Sequence, residues 1–350
     1  MIPIRNLYHL LCYAWNALHF DWVIDAGKIQ GENVENLLAM MLINGLQPLV
    51  RRGLHKQYAT RDDELRTLRG RIDYGTSLKR ALFERGLIAC SYDELSEDVL
   101  PNQVIKQTAK NLLQCESIDG MLRASLRKLL PKLSGVSPIT LSEPTLNAAA
   151  HACMDPLSRF LINVSYLAYH SLVPEQGGNR FRALEFIRDE KRMWRLFQNF
   201  VFNYLRLEAG GFKVNRATIK WDVESGSDTD LLPRMNTDVT LIGKDRHLII
   251  EIKYTKTLFQ TYFEKSSLRS EHLYQVLTYL EQQAAANTLE NRPVPEAILL
   301  YPAATHRIDA RYRIKGRQLR VMTLDLAQPW EGIRSDLGAL VSGSQVLIDR

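Results

Sequence analysis

The chain has 350 residues, 45% of them hydrophobic and 24% charged, which suits a globular protein of about two domains and excludes a disordered or fibrous chain. A formal charge of +6 and a pI near 9.0 point toward a polyanionic partner. Four cysteines without CxxC spacing, eight dispersed histidines and no apolar run of membrane length argue against a disulfide framework, a zinc site and a transmembrane span. The expectation is a cytoplasmic protein with no membrane partner.

In chain order, the opening IPIRNLYHLLCYAW has no basic leader and no small-residue cleavage site, so it does not read as a secretory signal. Leu7, Leu10, Leu11 and Ala14 predict a helix there. Residues 34–49 form a strongly apolar helix expected to end near Pro48. Residues 51–71 hold seven Lys or Arg against three acids, and Gly70 between arginines suggests a turn or bulge joining strand-like pieces. That segment reads either as a solvated loop or as a projection facing a partner or a phosphate. An acidic start at residue 93 leads to a helix opened by Pro101, and a further helix spans 122–133. Residues 134–145, with Pro138 and Pro144, look like a linker, dividing an N-terminal domain (1–145) from a second one (146–350). Helix is expected again at 156–171, then a break at 174–179.

A long helix at 185–207 carries Met193, Trp194, Phe197, Phe200, Val201, Tyr204 and Leu205. Glu190 lies on that stripe four residues before Trp194. A strand is expected within 212–222. Another buried strand, EAILLY, spans 296–301, and the last hairpin, 308–324, turns near Gly316. The arginines of that hairpin suit either a DNA backbone or the guarding of an exposed sheet edge.

Residues 231–254, LLPRMNTDVTLIGKDRHLIIEIKY, carry the chemistry. Thr237 to Ile242 is rich in β-branched residues, Gly243-Lys244-Asp245-Arg246 is turn material, and Leu248 to Ile252 is apolar apart from Glu251. A hairpin closing about Lys244 and Asp245 sets Asp238 opposite Glu251. Directly opposed residues share a face, with Cβ atoms about 4.5–5.5 Å apart. Lys253, two residues beyond Glu251, leaves the strand on the same side. Facing carboxylates repel unless a cation lies between them, and hard oxygen ligands suit Mg²⁺. An acid interrupting an otherwise buried strand is costly without such a partner. Downstream, Ser270 reads as the cap of a helix over 271–283, with Gln275 and Tyr279 one turn apart on its flank.

Asp238, Glu251-Ile-Lys253 and Gln275-x-x-x-Tyr279, in this order, resemble the PD-(D/E)xK nuclease superfamily in its RecB-like branch. The resemblance implies an α/β fold in which an α+β N-terminal domain precedes a restriction-endonuclease-like domain, a mixed central sheet flanked by helices. It implies Asp238 and Glu251 as metal ligands, Lys253 as the third catalytic group, and Gln275 and Tyr279 as accessory. Glu190 is a candidate third carboxylate, or simply a first-turn acid favoured by the helix dipole. IPIRNLYHLLCYAW, LRGRIDYGTSLK, SYDELSEDVLPNQVIK, FIRDEKRMWRLFQNF and LLPRMNTD…IIEIKY further resemble the McrC subunits of McrBC modification-dependent restriction systems. For such a subunit the implied role is Mg²⁺-dependent cleavage of double-stranded DNA carrying modified cytosines. The implied partner is an McrB-like AAA+ GTPase hexamer, which the N-terminal domain stimulates. The chain has no GxxxxGK[ST] loop, so GTP is expected to be bound by the partner. Two other readings stay open: a non-catalytic GTPase-activating scaffold, and a RecB-like nuclease of another repair or defence system.

Overall fold

The hairpin predicted around Lys244 and Asp245 lies inside a six-stranded sheet in the computed structural model, which describes residues 2–18, 20, 33–153, 155–174, 181–183, 189–225, 228–255, 259–262, 265–303 and 307–342. Val239–Ile242 and His247–Ile252 pair antiparallel, with Ile242 opposite His247 and Val239 opposite Ile250. This is the register that the four-residue turn implies, and the Gly243 N–H closes the turn on the Arg246 carbonyl (2.8 Å). Across the sheet the strands run Asp309–Ile314, Arg317–Leu324, Pro295–Pro302, His247–Ile252, Val239–Ile242, Lys213–Asn215. Pro295–Pro302 lies parallel to both its neighbours and the remaining pairs are antiparallel, so the sheet is mixed. A parallel pair needs a crossover, which the helix Ser270–Leu289 supplies between His247–Ile252 and Pro295–Pro302.

Helices cover both faces of the central strand. Every residue of His247–Ile252 is buried, and its period-two alternation sorts the side chains. Leu248, Ile250 and Ile252 pack with Phe197, Phe200 and Val201 of the helix Glu190–Glu208. Ile249 packs on the other side with Tyr279, Ile219 and Met235. The predicted strand within 212–222 is split into Lys213–Asn215 and Thr218–Ile219. The latter pairs with Met235–Asn236. The edge strand Asp309–Ile314 turns back through Lys315 (φ 48°) and Gly316 (φ 78°), two left-handed residues whose twist matches a tight hairpin. Arg246 and Arg320 reach the last carbonyls of the helix Trp330–Ser342, at Leu340, Val341 and Ala339, where cations offset the helix dipole.

The chain divides into two compact units, one formed by Met1–Glu32 together with Glu185–Arg350, the other by Asn33–Leu184. The boundary expected at residue 145 is therefore corrected: the proline-rich stretch lies within the second unit. Composition suggested a linker, but the backbone there is held. Lys106 donates to the Leu133 carbonyl (2.8 Å) and to that of Val136 (2.5 Å), and Ser142 and Thr145 form a reciprocal cap on Glu143–Ala152. In the first unit the amino-terminal helix Ile4–Ala14 packs with residues far along the chain. Leu10 and Tyr13 join the core of the sheet, and the Asn6 amide donates to the carbonyls of Leu326 and Gln328, both at 2.8 Å.

Two further expectations change in the second unit. The helix Val34–Arg52 runs through Pro48 rather than ending there. Proline removes one backbone bond, yet Leu46 and Leu49 on either side are buried. Gly45 meanwhile admits Leu161 of the helix Pro156–Ser171, which a Cβ there would meet at 2.7 Å. The charged stretch 51–71 is not one solvated loop but strands joined by a turn through Gly70: Gln57–Leu65 pairs along its length with Ile88–Ser96, and Arg71–Ile72 pairs with the far side of the same strand. Gly70, at φ +68°, sits so tightly that a Cβ would fall 2.4 Å from the Ser91 carbonyl oxygen. Gly70→Ala is expected to lower the stability of this unit by about 1–3 kcal/mol, combining left-handed strain with that clash. A denaturant melt reads it, and an unchanged midpoint would contradict this account of the turn. All four cysteines are buried, as the sequence suggested. Among the described residues no helix is long and apolar enough to cross a membrane.

Candidate active site

The site forms where the ladder of the central hairpin stops. Regular pairing ends at Val239 and Ile250, and the Asp238 side chain continues it, its Oδ2 accepting the Ile252 N–H at 2.7 Å. Asp238 is thus fixed at the end of its strand as the register required. Glu251 is 3% exposed, and its Oε1 accepts a hydrogen bond from Lys253 Nζ at 2.8 Å. The same ammonium donates to Gln275 Oε1 (2.7 Å), Gln275 Nε2 donates to the Tyr279 hydroxyl (2.8 Å), and that hydroxyl donates to the Asn236 carbonyl (3.2 Å). The chain of bonds returns to the segment that bears Asp238. Five of the six residues singled out in the sequence therefore meet in one cluster.

Electrostatics follow from burial. Glu251 is pushed up to about 7, first by burial and then by the charge of Asp238 beside it, against the pull of Lys253 and Gln275. Asp238 is also raised, mainly by burial, although the Ile252 N–H, Lys253, Arg216 and Gln198 favour its anion. Glu251 Oε2 is buried with no hydrogen-bond partner. An orphaned carboxylate oxygen next to a second carboxylate is a cavity of excess negative charge, which a hard divalent cation would relieve. Asp238 and Glu251 therefore fit Mg²⁺ as donors. Among the described residues no third His, Cys, Asp or Glu joins them to make a metal-binding group. Glu190 is not placed with them: it opens its helix behind the Asp189 cap, and its charge acts on Tyr254.

The sequence reading missed Gln198. From the helix on the opposite face of the sheet, its Nε2 donates to Asp238 Oδ1. One turn earlier, Trp194 Nε1 donates to the Ile252 carbonyl (3.1 Å). Glu190, Trp194 and Gln198 stand at successive steps of four, one line along the helix. The signal was there in the spacing, but Gln198 reads as an ordinary polar residue flanking an apolar stripe. The helix bearing Gln275 and Tyr279 also differs from expectation at its start, since Arg269 occupies the cap position without a side-chain bond and Ser270 is already helical.

Comparison with known proteins bears on this geometry. A family model described as "McrBC 5-methylcytosine restriction system component" matches residues 4–302. The "Type IV methyl-directed restriction enzyme EcoKMcrBC" of Escherichia coli K12 is 30% identical over 339 residues, covering 96% of each chain. In a half-complex from a tetradecameric assembly of Thermococcus gammatolerans McrB AAA+ hexamers with bound McrC, one chain is similar in fold. Its TM-score is 0.53 at 15% identity, over 97% of this chain and 76% of that one. A chain of the Thermococcus gammatolerans McrBC complex matches 60% of each chain at 20% identity, with a TM-score of 0.42.

Proposed function

The chain belongs to the McrBC 5-methylcytosine restriction system component family, and from that premise we propose that it is the DNA-cleaving subunit of a modification-dependent restriction endonuclease. The observation that carries the proposal is the buried Glu251 with its unpartnered Oε2, set between Asp238 and Lys253. A scaffold has no use for two raised carboxyls in the middle of an apolar sheet, where each is costly. Asp238 and Glu251 would hold Mg²⁺, whose chemistry when bound is to polarise a phosphoryl oxygen and lower the pKa of water. Lys253 carries the positive charge of the centre and, held by Glu251 and Gln275, is aimed to orient the attacking water and offset charge on the phosphorane-like transition state. Gln275 and Tyr279 keep that ammonium in place. Gln198 and the Ile252 N–H keep Asp238 in one rotamer.

The names of the family and of the relatives' assembly support a 5-methylcytosine restriction system with an AAA+ hexamer as partner, and the proposal adds that this partner hydrolyses GTP. In this reading the unit Asn33–Leu184, with its projecting strand Gln57–Leu65, docks on that hexamer and stimulates it. The test is cleavage of methylated and unmethylated duplex DNA by the full chain, with and without the GTPase partner, GTP and Mg²⁺. Cleavage confined to methylated DNA with every component present is expected. Full GTPase stimulation without any cleavage would leave the chain a scaffold. Gln275→Ala should slow cleavage by about tenfold, the scale of losing one hydrogen bond to a charged group, while GTP turnover stays at the wild-type rate. An unchanged cleavage rate would remove Gln275 from the site.

A further inference from the structure

The strand on the far side of Asp238 from Glu251 carries a cation that the reading above does not use. Thr218 pairs with Asn236 and Ile219 with Met235. The Thr237 N–H donates to the Ala217 carbonyl (2.9 Å), and the Ala217 N–H donates to Thr237 Oγ1 (3.0 Å), so the pairing continues past the regular ladder. One residue further, this register sets Arg216 opposite Asp238, while the adjoining ladder, in which Asn215 pairs with Thr240, sets it opposite Val239, so Arg216 stands beside the bulge that holds Asp238. Arg216 therefore lies beside Asp238, its side chain held by the same helix that supplies Gln198.

The geometry of Arg216 is that of a held but uncommitted cation. Its Nη2 donates to Asn199 Oδ1 at 2.6 Å, and its guanidinium lies over the Phe202 ring, 4.6 Å from the centroid. Asn199 follows Gln198, the residue that grips Asp238. Arg216 forms no ion pair with Asp238 or with any other carboxylate among the described residues, although its charge is felt at Asp238. The residue is exposed. A surface arginine braced by a side-chain carbonyl and a ring has already lost much of its rotamer freedom, and its remaining donors match two oxygens of a phosphate. A structural counter-ion for Asp238 would instead close on the carboxylate.

We propose that Arg216 is a phosphate-binding residue of the nuclease centre, taking non-bridging oxygens of the DNA backbone beside the bond to be cut. The assignment rests on the nuclease reading of Asp238, Glu251 and Lys253. It commits to a phosphodiester backbone rather than to a base, because an exposed guanidinium braced beside Asp238 meets the charged backbone that must approach that carboxylate.

Two measurements test it. First, binding of the full-length chain to a fluorescent duplex is followed by anisotropy in EDTA over a series of salt concentrations. Arg216→Gln should weaken binding and reduce the slope of log K against log salt by about 0.9, the value of one phosphate contact, with Arg216→Lys keeping the slope. Second, cleavage by the assembled complex with GTP and Mg²⁺ should fall about 10- to 100-fold in Arg216→Gln and less in Arg216→Lys, the range for one charge-assisted hydrogen bond. GTP turnover should not change. An unaltered salt slope in Arg216→Gln overturns the proposal. So does equal loss of cleavage and GTP turnover in both variants, which would mark a structural role. Absence of cleavage by the wild-type complex together with a reduced slope in Arg216→Gln would defeat the nuclease reading and leave the phosphate site standing.

Discussion

Glu251→Gln is expected to abolish DNA cleavage, a loss of at least about 10²–10³-fold on the scale of removing one electrostatic partner of the transition state, and at the same time to make the metal-free protein more stable above neutral pH. Both outcomes follow from one side chain. The amide keeps an oxygen for Lys253 and puts a donor in place of the unpartnered Oε2, within the field of the Asp238 carboxylate. The carboxyl has an ordinary value of 4.5 and a folded value of about 7. Between those two values the folded state holds a proton that the unfolded state has released, so stability falls as pH rises through that window. Below it the carboxyl is neutral in both states and the substitution changes little. Above pH 7 the anion is buried in the folded state, and replacing it gains roughly 1–3 kcal/mol. Thermal unfolding in EDTA at pH 5.5 and pH 8 measures the difference, which should be larger at pH 8. Added Mg²⁺ should raise the melting temperature of the wild type and not that of the variant. Near-wild-type cleavage, or equal stability of the two proteins at pH 8, would defeat this account. Asp238→Ala and Lys253→Ala should likewise remove cleavage while folding and assembly persist.

The second large effect concerns the unit Asn33–Leu184. A fragment of residues 33–184, mixed with the GTPase partner, is expected to stimulate GTP turnover without cutting DNA. The residues proposed for cleavage all lie outside this stretch, and an arginine supplied in trans to a GTPase can be worth roughly 10³–10⁵ in rate. Arg61, Arg69 and Arg80 stand on or beside the exposed strand system, each tied to Glu94 or Glu64 by surface ion pairs of the sort that contribute little to stability. Those pairs are therefore free to be exchanged. A fragment ending at residue 145 should do worse, because it cuts the first turn of Glu143–Ala152 and loses Pro156–Ser171, the helix against which Gly45 and its neighbours pack. Steady-state GTP turnover decides. A folded 33–184 fragment that fails to stimulate, beside a full chain that succeeds, would move the activating surface to the nuclease unit.

How much of this was legible varies with the kind of signal. The register of Val239–Ile242 against His247–Ile252 could be read because a four-residue polar turn and the period-two alternation of an apolar strand leave one pairing. Gln275 and Tyr279 could be read because helical spacing fixes which side chains meet. Gln57–Leu65 hid its strand character, since both its faces are largely exposed and no alternation marks it. The unit boundary was misplaced for a related reason: prolines at 138 and 144 mark a turn, but nothing in composition reveals that Lys106 and Ser142 pin that turn in place. Gln198 and Arg216 act across segments that the sequence does not connect, through a helix under one face and a short ladder ending at Ala217. Their importance depends on tertiary geometry that no local pattern encodes.

Among the described residues the amino-terminal helix makes contacts 320 residues along the chain, and that has a bearing on synthesis. Asn6 meets its carbonyl partner 320 residues later, so at translation speeds of 5–20 residues per second it waits roughly 15–60 s for the ribosome to deliver it. Throughout that interval Leu10 and Tyr13 have no sheet to cover. The unit 33–184 has no such dependence, since its helices and strands are all encoded within its own span, and it can fold while the rest is still being made. The unit that bears Asp238, Glu251 and Lys253 is thus the last part of the newborn chain to take shape, after the unit proposed to dock on a partner. A truncated product from interrupted translation would carry the docking surface and no working blade.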